Sequence, residues 1–179
     1  HNDPHRDDEH FCGGTREYWE NVEGLGDPEG PIEIHFIDEV LPGYFWLFPV
    51  KEGVVNVGIG MLISEQRKQT GMKKSLKKMQ KWVIEEHPRF KERFANSSLV
   101  PGSQKGWQLP FGSPRNNAPS YQPRRVALAG AMAVGDAASL VDPFSGEGIG
   151  NALLTAKMTS RYFDKEAHSG GFPEDAAFG

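Results

Sequence analysis

Between Val54 and Leu62 the chain alternates, with Val55, Val57, Ile59 and Met61 on one side and Val54, Asn56, Gly58 and Gly60 on the other. A period of two predicts a strand. Gly43–Val50 precedes it across Lys51-Glu52-Gly53, and the pair reads as a hairpin. The small residues of the second set leave one face of that strand open, with room for something bulky. Upstream, Arg16–Val22 and Ile32–Ile37 have strand-like β-branched and aromatic content, and the Gly- and Pro-rich Glu23–Pro31 between them reads as a turn.

The period changes after residue 70. Met72, Leu76, Met79 and Val83 fall at i, i+4, i+7 and i+11 with lysines between them, which predicts a helix over Met72–Glu86. It should stop near His87-Pro88, because the residue before proline is pushed away from helical angles. Phe90 and Phe94 suit a further short helix. Gly106–Gly112 reads as a strand, Ser113–Pro123 as a loop, and Val126–Leu128 and Met132–Val134 as strand segments flanking Gly130. A final helix is predicted from about Glu147 to Phe163, with Ile149, Leu153, Ala156 and Ser160 marking one face. No internal repeat is evident.

A chain of 179 residues suits one domain or one lobe of a larger protein. Its 37% apolar content is low for such a domain, so either one face is strongly solvated or a partner supplies packing. A net charge of −4 argues against a nucleic-acid surface. Lys73, Lys74, Lys77, Lys78 and Lys81 form the polar side of the predicted helix, read as a solvated face or as a peripheral contact with anionic membrane. The single cysteine, Cys12, excludes an internal disulfide and is compatible with a cytoplasmic setting. No apolar run approaches the roughly 18 residues that span a bilayer. His1, His5 and His10 fit no common zinc spacing and are expected in a solvated loop, so no metal is expected.

The candidate chemistry lies in Val134–Asn151, VGDAASLVDPFSGEGIGN. A short apolar strand ends at Gly135-Asp136, and an acidic residue there can point into the crevice where α/β proteins bind ligands. Pro143 breaks the chain, Ser145 can cap, and Gly146, Gly148 and Gly150 surround a helix start with Glu147, Ile149 and Asn151 between and after them. Glycine costs a helix roughly 1 kcal/mol. Side chains are therefore being kept away from something, so that first-turn amides can approach a ligand with negative charge. The alternative is a tight strand-to-helix connection with no ligand. No phosphate-binding GK[ST] and no GxGxxG appear anywhere.

GDAASLVDPFSGEGIGNAL resembles the second FAD motif of the p-hydroxybenzoate hydroxylase-type flavoproteins, and especially of the geranylgeranyl reductases. The resemblance implies that Asp136 contacts the ribityl chain of FAD and that Pro143–Ile149 borders its isoalloxazine ring. It extends the candidate cofactor set to Gly135, Asp136, Pro143, Gly146, Glu147, Gly148, Ile149, Gly150 and Asn151. A second stretch, Tyr44-Phe45-Trp46-Leu47-Phe48-Pro49 followed after eight residues by Gly58-Ile59-Gly60, is similar to that family's YxWxFP and GxG motifs. There the hairpin lines the tunnel for an isoprenoid chain, which makes Tyr44, Trp46, Phe48, Pro49, Gly58 and Gly60 candidate substrate residues. Without the resemblance, alternating aromatics mean packing on a half-buried strand face.

The resemblance further implies an α+β fold: an antiparallel sheet with helices over 11–123, after a flexible polar segment 1–10. A strand-loop-helix over 124–179 would belong to an FAD-binding domain whose GxGxxG unit is missing from this sequence. The expected function is hydride transfer from reduced FAD to isoprenoid double bonds of a prenyl lipid, with the electron donor unassigned. No catalytic residue is identified, although Tyr44 is a candidate proton donor. The chain taken alone is expected to bind FAD poorly and to be inactive. Alternatives are an electron-transfer flavoprotein dehydrogenase-like enzyme, which one cysteine disfavours, an aromatic monooxygenase, or a lipid-binding module without redox activity.

Overall fold

In the computed structural model, which describes residues 8–111, 126–128 and 131–162, the chain forms an α+β fold of two compact units. One unit is Phe11–Gln108. The other takes its described residues from 8–10 and from Leu109 onward.

The first unit is built on a six-stranded sheet. Strands β1 (Phe11–Glu20), β2 (Glu33–His35), β3 (Tyr44–Lys51), β4 (Val54–Leu62) and β5 (Ser98–Leu99) lie in the order β2-β3-β4-β1-β5, and β6 (Lys105–Pro110) also pairs with β1. The expected hairpin is present. β3 and β4 pair antiparallel from Tyr44 opposite Gly60 to Pro49 opposite Val55, with a bulge between Pro49 and Lys51. Gly53 closes the turn at φ +67°, a left-handed conformation that glycine adopts without a Cβ penalty.

Alternation then decides which face is sealed. Phe45, Leu47, Val55, Val57 and Ile59 are fully buried, and Met79 and Val83 of helix α2 (Leu76–Glu85) share that core with Phe90. Phe90 stands edge-on to Phe45 at 5.1 Å and to His35 at 4.8 Å between ring centres. Gln80 is buried in the same interior and donates through Nε2 to the Val57 carbonyl at 3.3 Å.

Several boundaries differ from expectation. β1 begins at Phe11, five residues before Arg16, because β4 pairs with it all the way to Cys12 opposite Leu62 and carries the weak strand formers Gly13 and Gly14. β2 is three residues long, and Ile32 and Phe36, at 64% and 60% exposure, flank it outside the ladder. The Met72–Glu86 helix is split: Gly71–Lys74 is a 3-10 turn, and Ser75 caps α2 by accepting from the Lys78 amide. Pro88 does end it, with the cap at Glu86. Around Phe90 and Phe94 the backbone makes successive turns, such as Phe94 N to Phe90 O at 3.2 Å, and no helix. A short helix α1 (Ile63–Lys68) and strand β5 were not expected. Lys74, Lys77, Lys78 and Lys81 are exposed, and Lys81 lies 3.8 Å from Glu85.

In the second unit β7 (Ala127–Leu128) and β8 (Ala131–Met132) pair antiparallel. The expected strand continuing to Val134 gives way to a 3-10 turn, Gly135–Ala138, after which Ser139 is left-handed at φ 59°. Helix α3 runs Ile149–Tyr162, two residues later at its start than expected, because Gly146 at φ +74° lies outside helical space. Phe111 bridges Val141 in parallel, and the Phe111 amide donates to the His10 carbonyl at 2.9 Å. His10, expected in a solvated loop, is 5% exposed because this bond draws the 8–10 turn inward. His1, His5, Gly112, Ser113–Pro123, Gly130 and Phe163 lie outside the described residues. Among the described residues no cluster could hold a metal ion, and no helix is long and apolar enough to cross a membrane.

Candidate functional site

On the sheet, the face opposite the core carries the aromatic residues. Pleating sends Tyr44, Trp46 and Phe48 to one side of β3 while Phe45 and Leu47 enter the core. The three rings form a ladder, 5.9 Å from Tyr44 to Trp46 and 6.1 Å, stacked, from Trp46 to Phe48. Phe36 extends it toward the sheet edge, edge-on to Tyr44 at 6.1 Å. All three β3 rings are half-buried.

The opening left by Gly58 and Gly60 has an occupant from the chain itself. Trp46 sits directly opposite Gly58, and its indole lies flat across β4: a Cβ on Gly58 would meet indole Cζ2 at 2.1 Å. A Cβ on Gly60 would lie 3.6 Å from the ring, and one on Gly14 of β1 would lie 3.9 Å from it. Glycine at 58 therefore makes room for tryptophan. The ring is also anchored, since Nε1 donates to Asn56 Oδ1 at 3.1 Å. Pro49 is half-buried at the end of the ladder, opposite Val55, where the bulge begins. Asn56 and the flanking Ile34, opposite Trp46 on β2, were not singled out from sequence. The available signal for Asn56 was its place two residues before Gly58 on the same strand face. Cys12 beside this face donates to the Gly13 carbonyl, and burial pushes its thiol up to about 11, which keeps it protonated and poorly nucleophilic.

In the second unit, the residues from Gly135 to Asn151 gather around the start of α3. Asn151 donates to the Leu140 carbonyl at 2.8 Å, and the Gly135 amide donates to Thr155 Oγ1 at 3.2 Å. These bonds fold the 135–140 turn against the helix. Gly135 (φ +55°) and Gly148 are small for internal reasons: a Cβ would lie 2.9 Å from the Ala152 Cβ in one case and 3.0 Å from Val141 Cγ2 in the other. Asp142 organises the turn that holds Pro143, accepting from the Ser145 amide at 2.7 Å and the Ser145 hydroxyl at 2.5 Å. Those bonds hold its carboxyl below the usual range.

Whether this segment fits a cofactor rests on which polar groups remain open. The Gly150 amide is taken by the Glu147 carboxylate at 2.5 Å, so it does not face outward as expected. The amides of Gly148 and Ile149 have no acceptor among the described residues, Asp136 is exposed, and its Oδ1 would lie 3.3 Å from a Cβ at Gly148. Two open helix-start amides beside an exposed carboxylate suit a ligand that presents both acceptors and hydroxyls, which FAD does. Pro143 is exposed, and Phe144 and Ile149, at 83% and 78% exposure, bracket the opening with apolar surface.

Residues 14–98 match the family model of the geranylgeranyl reductase catalytic domain. The digeranylgeranylglycerophospholipid reductase of Thermoplasma volcanium is 33% identical over 133 residues, covering 74% of this chain and 29% of the relative. The menaquinone reductase of Mycolicibacterium smegmatis is 30% identical over 141 residues, 76% of this chain and 28% of the relative. The chain thus spans under a third of the length of these curated relatives. Among solved structures, a geranylgeranyl bacteriochlorophyll reductase-like protein of Thermoplasma acidophilum superposes with a TM-score of 0.67 at 25% identity, over 88% of this chain and 34% of that one. A myxobacterial chondrochloren halogenase, an FAD-dependent enzyme, shares the fold with a TM-score of 0.62 at 21% identity, over 91% of this chain and 35% of that one.

Proposed function

We propose, from the match of residues 14–98 to the geranylgeranyl reductase catalytic domain, that the chain serves an FAD-dependent reduction of isoprenoid double bonds in a prenyl lipid. In this reading Tyr44, Trp46, Phe48, Pro49, Gly58 and Gly60 form the wall against which the apolar chain lies. Gly135, Asp136, Pro143, Gly146, Glu147, Gly148, Ile149, Gly150 and Asn151 form the flavin contact. The observation that carries it is the indole of Trp46 laid over Gly58, which turns a row of separate rings into one flat apolar surface reaching β1.

Such a surface suits the chemistry. When bound, reduced FAD supplies a hydride for one alkene carbon, and a proton completes the other. An isolated C=C is weakly polarised, so the protein's contribution is to hold the alkene in place and exclude water. The aromatic ladder would do both, with the Tyr44 hydroxyl as its one acidic group. In this reading Asp136 would accept from ribityl hydroxyls, and the open Gly148 and Ile149 amides would donate to acceptors of the ring. Glu147 acts indirectly by tying the Gly150 amide and fixing the first turn of α3.

The test has two readouts. Denaturing a purified protein that carries this chain at the full length of its relatives should release FAD, identified by absorbance and mass. Chemical reduction in the presence of a geranylgeranyl lipid should then add two hydrogens per double bond to the product mass. A colourless protein that leaves the lipid's mass unchanged, yet retains lipid, would move the assignment to a binding module.

A further inference from the structure

The lysine-rich stretch takes no part in either proposed site. Seven of the chain's 20 lysines and arginines lie between Gln66 and Ile84, and all 24 aspartates and glutamates lie outside that stretch. Folding keeps this charge on the surface. Helix α2 turns Leu76, Met79 and Val83 into the core and leaves Lys77, Lys78 and Lys81 exposed. Arg67 and Lys68 are exposed at the end of α1, and the Gly71–Lys74 turn, which packs against both helices, adds Lys74. The result is one basic face on an otherwise acidic chain.

That face works against the helix that carries it. Lys77 and Lys78 occupy the first turn of α2, which holds no acidic residue, although the positive end of a helix dipole favours anions. Lys77 and Lys81 stand four residues apart and Lys78 and Lys81 three, so like charges meet across a turn. Lys68 reaches Glu65 at 2.6 Å and Lys81 reaches Glu85 at 3.8 Å. Among the described residues no carboxylate pairs with Lys73, Lys74, Lys77 or Lys78. A face adapted to water alone would mix the two signs. An anionic partner relieves both repulsions at once. A protein partner needs an aromatic or aliphatic anchor, and no large exposed apolar side chain lies in 66–84. A charged lipid surface needs only cations brought within a Debye length.

We propose that the basic face of α1, the Gly71–Lys74 turn and α2 docks on an anionic phospholipid bilayer, by charge and without inserting. Charge complementarity selects this occupant. The location suits it as well, because α1 and the start of α2 lie over the Tyr44 end of the sheet. A Cβ on Gly13 would come 3.3 Å from Gln66 Oε1 and 3.4 Å from Leu76 Cδ1, and the adjacent Gly14 lies opposite Gly60, which lies opposite Tyr44. The docking uses no residue of the proposed lipid wall and stands or falls independently of it.

The experiment mixes purified protein carrying this chain with phosphatidylcholine vesicles, with and without phosphatidylglycerol, and reads the bound fraction by co-sedimentation. Binding is expected to the anionic vesicles alone, and to fall at least ~10-fold as salt rises from about 0.1 to 0.5 M. Each cation near such a surface contributes ~5-fold, so Lys77→Gln/Lys78→Gln should weaken binding ~10- to 25-fold. Glutamine matches lysine in helix propensity, so the melting temperature should not fall. Lys51→Gln/Lys105→Gln removes two exposed cations from strands and should change binding by less than about two-fold. An equal loss in both double variants would trace the binding to net charge and overturn the face. Equal binding to neutral vesicles would also overturn it. Heparin bound while anionic vesicles are not would assign the face to an acidic macromolecule instead. None of these outcomes bears on prenyl reduction, which is read from product mass.

Discussion

In the sheet unit Phe45, Leu47, Val57, Ile59 and Phe90 are sealed between the strands and α2, whereas on α3 Ile149, Leu153, Leu154 and Met158 leave half or more of their surface in the open. The two regions are held by different forces. Burying a large apolar side chain contributes about 1.5–3 kcal/mol, and the sheet unit does this many times over. The second unit relies on directional bonds from one side of α3: Asn151 to the Leu140 carbonyl, Thr155 with the Gly135 amide, and Thr159 to the Met132 sulfur. A single such bond contributes only about 0.5–1.5 kcal/mol. Glycine differs between the regions in the same way. Gly58 clears a place for an aromatic ring of the proposed substrate wall, while Gly135 and Gly148 let backbone segments pack on each other.

The widest test of this contrast is truncation of a sealed ring. Phe90→Ala should cost about 3–5 kcal/mol, read as a fall in the urea midpoint, because the residue is fully buried between Phe45 and His35. Gly58→Ala comes next, at about 1–3 kcal/mol or somewhat more, since the new methyl group meets the indole and also the Thr15 carbonyl at 2.6 Å. Its signature is a change in tryptophan emission as Trp46 is displaced, and unchanged emission would contradict that packing.

Thr155→Val removes the acceptor of the Gly135 amide and should cost about 1 kcal/mol. Hydrogen exchange should localise that loss to 132–156 and leave β3 and β4 untouched. In the wild type the slowest amides are expected in the sheet, and finding them in Val134–Ala156 would reverse the comparison.

A smaller effect appears on acidification. The Arg93 guanidinium, donating to both oxygens of Glu33 at 2.7 and 3.0 Å, holds the Glu33 carboxyl below its ordinary range. Burial holds His35, 2.7 Å from Glu33, below its ordinary range too, despite that carboxylate. Both folded-state values are depressed, so both contributions are present above the unfolded values and are lost as pH falls through the folded ones. Stability should therefore decline from near neutral down through about pH 4. Glu33→Gln should flatten the acid part of that curve; an equal slope in the variant would remove Glu33 as its source. The smallest effect belongs to Leu153→Ala on the open face of α3, expected within about 0.5 kcal/mol. A loss of several kcal/mol there would mean that the face is covered in solution.

Much of the sheet was legible from sequence because its signals are local. Val54–Leu62 alternates, Gly53 supplies the turn, and Pro88 limits α2. The early start of β1 was not legible, because Gly13 and Gly14 have little strand preference of their own and are held by the full length of β4. Ser75 hid the break between Gly71–Lys74 and α2, since the apolar spacing runs through it without interruption. At the site, the glycine series of β4 announced an open face. Nothing local identified Trp46 as its first occupant, or brought Asn56 and Arg16 onto the same surface.

The sequence by itself determined the hairpin, the end of α2, the small residues at the start of α3 and, through two motifs in order, the resemblance to the geranylgeranyl reductases. These depend on backbone preferences and on spacing along the chain, which need no distant partner. Tertiary structure alone decided that Trp46 lies over Gly58, that Glu147 takes the Gly150 amide, and that Arg16 shares a sheet face with the aromatic ladder. Each of those depends on register and rotamer. Register joins residues that are dozens of positions apart, and a rotamer is chosen by the neighbours that register supplies.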